Sequence, residues 1–151
     1  MSLPTLKYSK IRDVKSPVKA DDGAAGIDFF VPNDFKEEII LDGKIYSIPL
    51  GLKVNIPTGY CLQLLDRSGL AKKRGITIKA GLIDESYQGE ICAIIECTKR
   101  QYPYTLKAGT KLLQGKIEKV YNFPMKEVKE SKLFPTKSKR GEGGFGSSGN
   151  E

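Results

Sequence analysis

Ile76-Thr77-Ile78-Lys79-Ala80, then Gly81-Leu82-Ile83-Asp84-Glu85-Ser86-Tyr87-Gln88-Gly89-Glu90, then Ile91-Cys92-Ala93-Ile94-Ile95 is the stretch that decides the fold. Two β-branched runs flank a polar insert bounded by glycines, the pattern of a β-hairpin. Gly81 and Gly89 tolerate backbone geometries that other residues resist, and they leave the backbone open to close approach. Between Gly81 and Gly89 lie two carboxylates and a tyrosine. Leu82 and Ile83 precede Asp84, so its carboxylate is expected against a packed apolar wall, as suits a general base. The insert also has a plain reading, a solvated acidic tip on an ordinary hairpin. The stretch alone leaves both open.

Outward from the hairpin the same texture continues. Leu50, Leu52, Val54 and Ile56 alternate with Gly51, Lys53 and Asn55, a half-buried strand closed by Pro57. Thr58-Gly59 turns the chain into a strand over residues 60–65. Further strands are expected over 76–83, 91–96, 104–106 and 110–121, with a turn at Ala108-Gly109. Many short strands with regular turn signals indicate an all-β sandwich or jelly roll. One short helix fits residues 68–75, with Ser68 as cap and Gly75 as stop. There is no internal repeat.

The C-terminal part differs. Residues 1–124 read as the β core and 125–139 as an extended, Lys/Glu-rich arm. Residues 140–151 hold Gly141-Glu-Gly-Gly-Phe-Gly-Ser-Ser-Gly149, five glycines in nine residues. That composition builds no packed element alone. Phe145 is out of place in a mere linker. A closing arm would use the glycines as hinges, the ring to stack, and Arg140 with the serines for phosphate.

Composition narrows the chemistry. The chain has 151 residues, enough for one domain with a real core. It has no histidine, which excludes Ser-His-Asp and Cys-His catalysis and His-ligated zinc or haem. A general base must then be a carboxylate or, failing that, a lysine or tyrosine, and a metal would be a hard ion such as Mg²⁺. Cys61, Cys92 and Cys97 lack zinc-type spacing and fit a reducing compartment. Cys92 and Cys97 would lie on opposite faces of one strand. No apolar run approaches the roughly 20 residues that span a bilayer, and the N-terminus lacks a signal-peptide core, so a cytoplasmic protein without membrane contact is expected. The net charge of +7 fits a polyanionic ligand or scattered, solubilising lysines.

Three smaller groups carry chemistry. Asp66-Arg67-Ser68-Gly69, at a strand-to-helix junction, joins backbone N–H groups, a hydroxyl and a guanidinium, the parts of a phosphate site. A helix cap beside a surface arginine accounts for it equally. Asp28, after Gly26-Ile27, could face a metal's hydration shell or simply open a strand. Gln114 is a polar residue in an apolar run, either a phosphate contact or a satisfied core amide.

The order of these pieces matters more than any one of them. Gly-Ile-Asp at 26–28, Arg-Ser-Gly-Leu-Ala at 67–71, Gly-Leu-Ile-Asp-x-x-Tyr-x-Gly at 81–89, Gly-x-x-x-x-Gln at 109–114 and Arg-Gly-x-Gly-Gly-Phe-Gly-Ser-Ser-Gly at 140–149 resemble the five ordered motifs of the trimeric dUTP diphosphatases (dUTPases). The resemblance implies a distorted β jelly roll with one short helix and an extended C-terminal arm. It also implies a homotrimer with shared active sites and hydrolysis of dUTP to dUMP and pyrophosphate. Asp84 would activate the attacking water. Arg67, Ser68, Gly69 and Gln114 would hold phosphate, and Asp28 would bind waters of a Mg²⁺. The hairpin ending in Gly81 would read uracil through its backbone, with Tyr87 under the deoxyribose. Phe145 would stack on the base, Arg140 and Ser147 would bind the γ-phosphate, and Gly146 would permit close contact.

Some positions depart from the family pattern. Asp66 replaces a proline and puts a negative charge beside the phosphate site. Lys79 replaces a small residue, Thr110-Lys111 replaces Asp-Arg, and Ser148 replaces a threonine. The related dCTP deaminases are disfavoured, because Ile94 falls where their catalytic glutamate would. A non-enzymatic use of the fold is disfavoured by the presence of Asp84, Arg67 and Phe145. A nucleic-acid-binding β domain would interleave basic and aromatic residues on one face, and that pattern is absent.

Overall fold

The alternation of side chains decides which strand faces go inward. In the computed structural model, which describes residues 3–40, 43–98 and 103–144, β5 (Leu52–Asn55) buries Leu52 and Val54 and exposes Lys53 and Asn55. Residue for residue, this is the period-2 pattern of a half-buried strand. β5 pairs with β1 (Lys7–Lys10). β3 (Glu38–Ile40) pairs with β10 (Tyr104–Leu106).

Two larger sheets carry the rest. One orders β2 (Ile27–Phe30), β11 (Lys111–Lys119), β6 (Tyr60–Leu65) and β8 (Leu82–Ile83). The other orders β4 (Ile45–Pro49), β9 (Cys92–Cys97) and β7 (Ile76–Ala80). Every pairing between named strands is antiparallel. One hydrophobic cluster draws on both sheets: Phe29, Leu62, Leu64 and Leu113 from the first, Ile48, Ala93 and Ile95 from the second. Each fully buried Leu, Ile or Phe contributes about 1.5–3 kcal/mol. The all-β class and the jelly-roll expectation agree with this arrangement.

The hairpin forms, with one correction. Residues 76–83 are not one strand. They divide at Gly81 into β7 and β8, which belong to different sheets. The break starts at a register shift between Ile78 and Ala80, where Lys79 is the extra residue of a β-bulge. Gly81 then lies on β6: the Leu64 N–H donates to the Gly81 carbonyl at 2.7 Å. A Cβ on Gly81 would overlap the Leu64 carbonyl oxygen. Only glycine lets the chain change sheets here.

α1 (Ser68–Arg74) is where the short helix was expected, but its start differs. Arg67, not Ser68, occupies the N-cap position, and no side chain caps the helix. Gly75 ends it in the left-handed region at φ 66°, as a C-terminal glycine should. Cys92 and Cys97 do face opposite sides of β9, and the three cysteines are free thiols.

The chain divides into two units, Met1–Tyr121 and Asn122–Glu151. In the second, the regular structure among the described residues is a 3-10 turn at Glu130–Lys132. Its apolar side chains Phe123, Met125, Leu133 and Phe134 are exposed.

Candidate active site

The register of the first sheet assembles one group of predicted residues. Asp28 of β2 lies opposite Gln114 of β11, and Gln114 lies opposite Leu65 of β6. Strands are ~4.8 Å apart, so these positions and the Asp66-Arg67 segment after Leu65 are neighbours. The Asp28 carboxylate takes Lys111 Nζ at 2.7 Å on one oxygen and faces Arg67 Nε at 3.5 Å on the other. Arg67 Nη1 also donates to the Lys111 carbonyl at 2.9 Å. Gln114 Nε2 donates to the Asp66 carbonyl at 2.8 Å. Its amide oxygen lies where a Cβ on residue 26 would be, so Gly26 makes room for it. Ser68 and Gly69 are exposed at the start of α1. Asp28 and the neighbouring Asp66 balance Lys111 and Arg67 in formal charge, so what suits this cradle to an anion is the part-exposed Arg67 guanidinium beside Ser68 and Gly69, not a net charge.

The Thr110-Lys111 departure therefore keeps an ion pair in this region, because Lys111 itself grips Asp28. Asp66 does not pair with Arg67. Its Oδ1 accepts the Ile78 N–H of β7 at 2.5 Å. Lys79 pairs with Glu96 of β9.

The second group sits on the hairpin turn. Asp84 is exposed, and the expected wall is not behind it: Leu82 is 63 % exposed and Ile83 half-buried. The physical reason is that β8 has two residues and lies at the edge of its sheet, with no further strand paired beyond it among the described residues. The backbone around Asp84 is nevertheless well fixed. Tyr87 N–H donates to the Asp84 carbonyl at 3.1 Å, and the Tyr87 hydroxyl donates to the Glu90 carbonyl at 2.9 Å. The Tyr87 ring lies over residue 89, where a Cβ would overlap it, so Gly89 makes room for the ring in this position. The Glu85 carboxylate accepts the Gly59 N–H.

Glu90 closes the turn. Its carboxylate accepts Arg12 Nε at 2.7 Å, Arg12 Nη2 at 3.1 Å and the Gly51 N–H at 3.0 Å. The hydrogen bond from Arg12 holds the Glu90 carboxyl below its ordinary value, against the opposing effect of burial. The same contact raises Arg12.

The two groups do not meet within one chain. Ile83 pairs with Leu62, so Asp84 lies level with about the Cys61 end of β6, whereas Arg67 follows its other end. At ~3.3 Å per residue the separation along the strand is roughly 20 Å. β2 and β8 are also the two outer strands of the sheet.

Arg140 belongs to the second unit. Its Nε donates to the Gly143 carbonyl at 2.6 Å, inside a turn where Gly141 has φ 53° and donates to Ser138 Oγ at 3.1 Å. Phe145, Gly146 and Ser147 lie outside the described residues.

A dUTPase family model matches residues 12–149. The chain belongs to the dUTPase family. It is 35% identical over 141 residues to the deoxyuridine 5'-triphosphate nucleotidohydrolase of Caulobacter vibrioides, covering 91% of this chain and 87% of that one. It is 36% identical over 148 residues to the Clostridium tetani protein of the same name, covering 96% and 97%. Its fold superposes on a Staphylococcus bacteriophage 80alpha dUTPase with dUPNHPP at a TM-score of 0.82, 24% identity and 98% and 100% coverage.

Four contributors to this dUTPase fold's site region escape sequence reasoning: Lys111 on Asp28, Asp66 on Ile78, and Arg12 with Glu90. Arg12 and Glu90 are 78 residues apart, and no local pattern joins them. Lys111 could have been found, since it is on the same strand as Gln114 and three residues before it.

Proposed function

We propose that the protein hydrolyses dUTP at the α–β bond to dUMP and pyrophosphate, as a homotrimer with shared sites. The observation that carries this reading is the joining of Asp28, Arg67 and Gln114 in one cradle, in a chain of the dUTPase family whose Asp84–Tyr87 turn is presented separately. A cradle and a base roughly 20 Å apart along one strand act together only when another copy supplies the missing half.

Asp84 removes a proton from water as the water oxygen bonds to the α-phosphorus. The α–β bridging bond breaks, and its electron pair leaves with pyrophosphate. A well-placed general base supplies about 10²–10⁴-fold. Arg67, Ser68, Gly69 and Gln114 hold the phosphate oxygens, where charge stabilisation is the larger contribution. Arg67 Nη2 lies outside its contacts with Asp28 and Lys111 and is available for this. The backbone near Gly81 reads uracil, and Tyr87 carries the deoxyribose. Arg140, Phe145, Gly146 and Ser147 act as the lid.

Mg²⁺ would arrive with the triphosphate and take most of its ligands from it and from water, since both oxygens of Asp28 already face cations. Asp28 is a lone carboxylate between two cations, and among the described residues no three His, Cys, Asp or Glu side chains gather to cage a metal. Mg²⁺ keeps several waters and needs few protein ligands, so Asp28 would hold it through water. When bound, it neutralises charge on the phosphates. A bacteriophage phi11 dUTPase structure is described with a structural Mg(II) ion. Among the described residues no helix is long and apolar enough to cross a membrane, and the free thiols suit a reducing cytoplasm.

The test is pyrophosphate release from dUTP, dCTP, dTTP and UTP in Mg²⁺, with Asp84→Asn alongside. Turnover of dUTP alone, severely reduced in the variant, is expected. Ammonia released from dCTP would support the deaminase reading instead.

A further inference from the structure

The bulge in β7 is held at both ends by β6 and the residue after it. At one end the Leu64 N–H donates to the Gly81 carbonyl at 2.7 Å. At the other the Ile78 N–H donates to Asp66 Oδ1 at 2.5 Å. Between these anchors lie Lys79 and Ala80, both exposed, the residues where the register with β9 shifts. β7 is an outer strand of its sheet, so the Ile78 N–H has no neighbouring strand to receive it. Asp66 supplies the acceptor from the other sheet's side.

Asp66 also has a second attachment. Its carbonyl accepts Gln114 Nε2 at 2.8 Å, and Arg67 follows it directly. One residue thus touches the bulged strand through its side chain and the phosphate cradle through its backbone. A proline at this position, the usual family residue, offers no side-chain acceptor. The link to Ile78 is a feature of this chain's own sequence.

The geometry points to Asp66 as a positioning residue for base selection. Its carboxylate fixes the upstream end of the bulge, so that the Lys79–Ala80 backbone presents its donors and acceptors to the base in one register. This rests on the proposed reading of the hairpin before Gly81 as the uracil reader. Charge-assisted bonds to backbone N–H groups are among the stronger hydrogen bonds, so one such contact can hold a short exposed segment. Losing it lets the bulge slip, and a displaced recognition surface loses discrimination before it loses chemistry.

Asp66→Ala and Asp66→Asn test this. In Asp66→Ala, KM for dUTP should rise roughly tenfold with little change in kcat, less than the hundredfold that a 1 Å misplacement can cost. The preference for dUTP over dCTP should fall by a similar factor. Asp66→Asn keeps an acceptor oxygen and should recover most of both. The Ile78 amide should exchange with solvent faster in Asp66→Ala than in wild type, and thermal stability should barely move. Unchanged KM and unchanged selectivity in Asp66→Ala, with dUTP still turned over, would overturn the role of Asp66 and leave the proposed function standing. Loss of kcat with selectivity intact would overturn it too. A wild-type protein inert toward dUTP would instead sink the functional reading, and the base-selection role with it. Ile78 exchange would still decide the Asp66 contact on its own.

Discussion

The cradle and the hairpin turn solve opposite problems. In the cradle, Asp28 is nearly buried and satisfied twice over by its own chain, by Lys111 and Arg67. On the turn, Asp84 is exposed, and what is fixed lies around it: Tyr87 N–H on its carbonyl, the Tyr87 ring over Gly89, and Glu90 latched to Arg12. A carboxylate that organises cations is embedded in the fold. A carboxylate that must meet a substrate is held by the shape of the chain beneath it. Removing Asp84 should therefore cost rate and leave stability, whereas removing Asp28 should cost stability as well as activity.

The largest effect belongs to Asp84→Asn. Its dUTP turnover should fall by about 10²–10⁴-fold, with an unfolding free energy within about 0.5 kcal/mol of wild type, as for an exposed side chain. If urea unfolding shows this variant to be clearly destabilised, the turn is not the independent scaffold described here. Asp28→Asn should differ by losing stability along with activity. It leaves Lys111 and Arg67 facing each other without their counter-charge and should lower stability by about 1–3 kcal/mol. An unchanged urea midpoint would mean that the cradle is not pre-built. The smallest effect is at Glu90. Its folded-state carboxyl titrates below the ordinary 4.5, so it stabilises the fold above that pH and loses this contribution as pH falls through the folded value. The stability gap between wild type and Glu90→Gln should be largest near neutrality and shrink in acid, as read by urea unfolding at several pH values. A gap that grows in acid would reverse the assignment.

What could be read in the sequence follows the same division. The strands over 50–56 and 60–65 were legible because alternation reports a half-buried face directly. The short helix was legible from Gly75, a left-handed stop, more than from Ser68, which does not cap it. Asp28, Arg67 and Gln114 were legible as types and order, and antiparallel register brought them together. The division of 76–83 was not, since a strand that changes sheets keeps its apolar run while its partner changes. The lack of a wall behind Asp84 was not legible, because Leu82 looks like core in sequence and burial depends on what lies beyond an edge strand. Arg12 with Glu90 and Asp66 with Ile78 were hidden because contacts across the fold leave no local trace.

β6 is six residues long, and that length separates Asp84 from Arg67. On the proposed reading, an Asp84→Asn chain still offers an intact cradle, and an Arg67→Ala chain still offers an intact turn. Each variant alone has no complete site. Unfolded together and refolded as mixed assemblies, they should regain dUTP hydrolysis at the interfaces where the intact halves face one another. Mixing without subunit exchange should regain none. Two dead proteins would then make a live one, which no arrangement confined to a single chain permits.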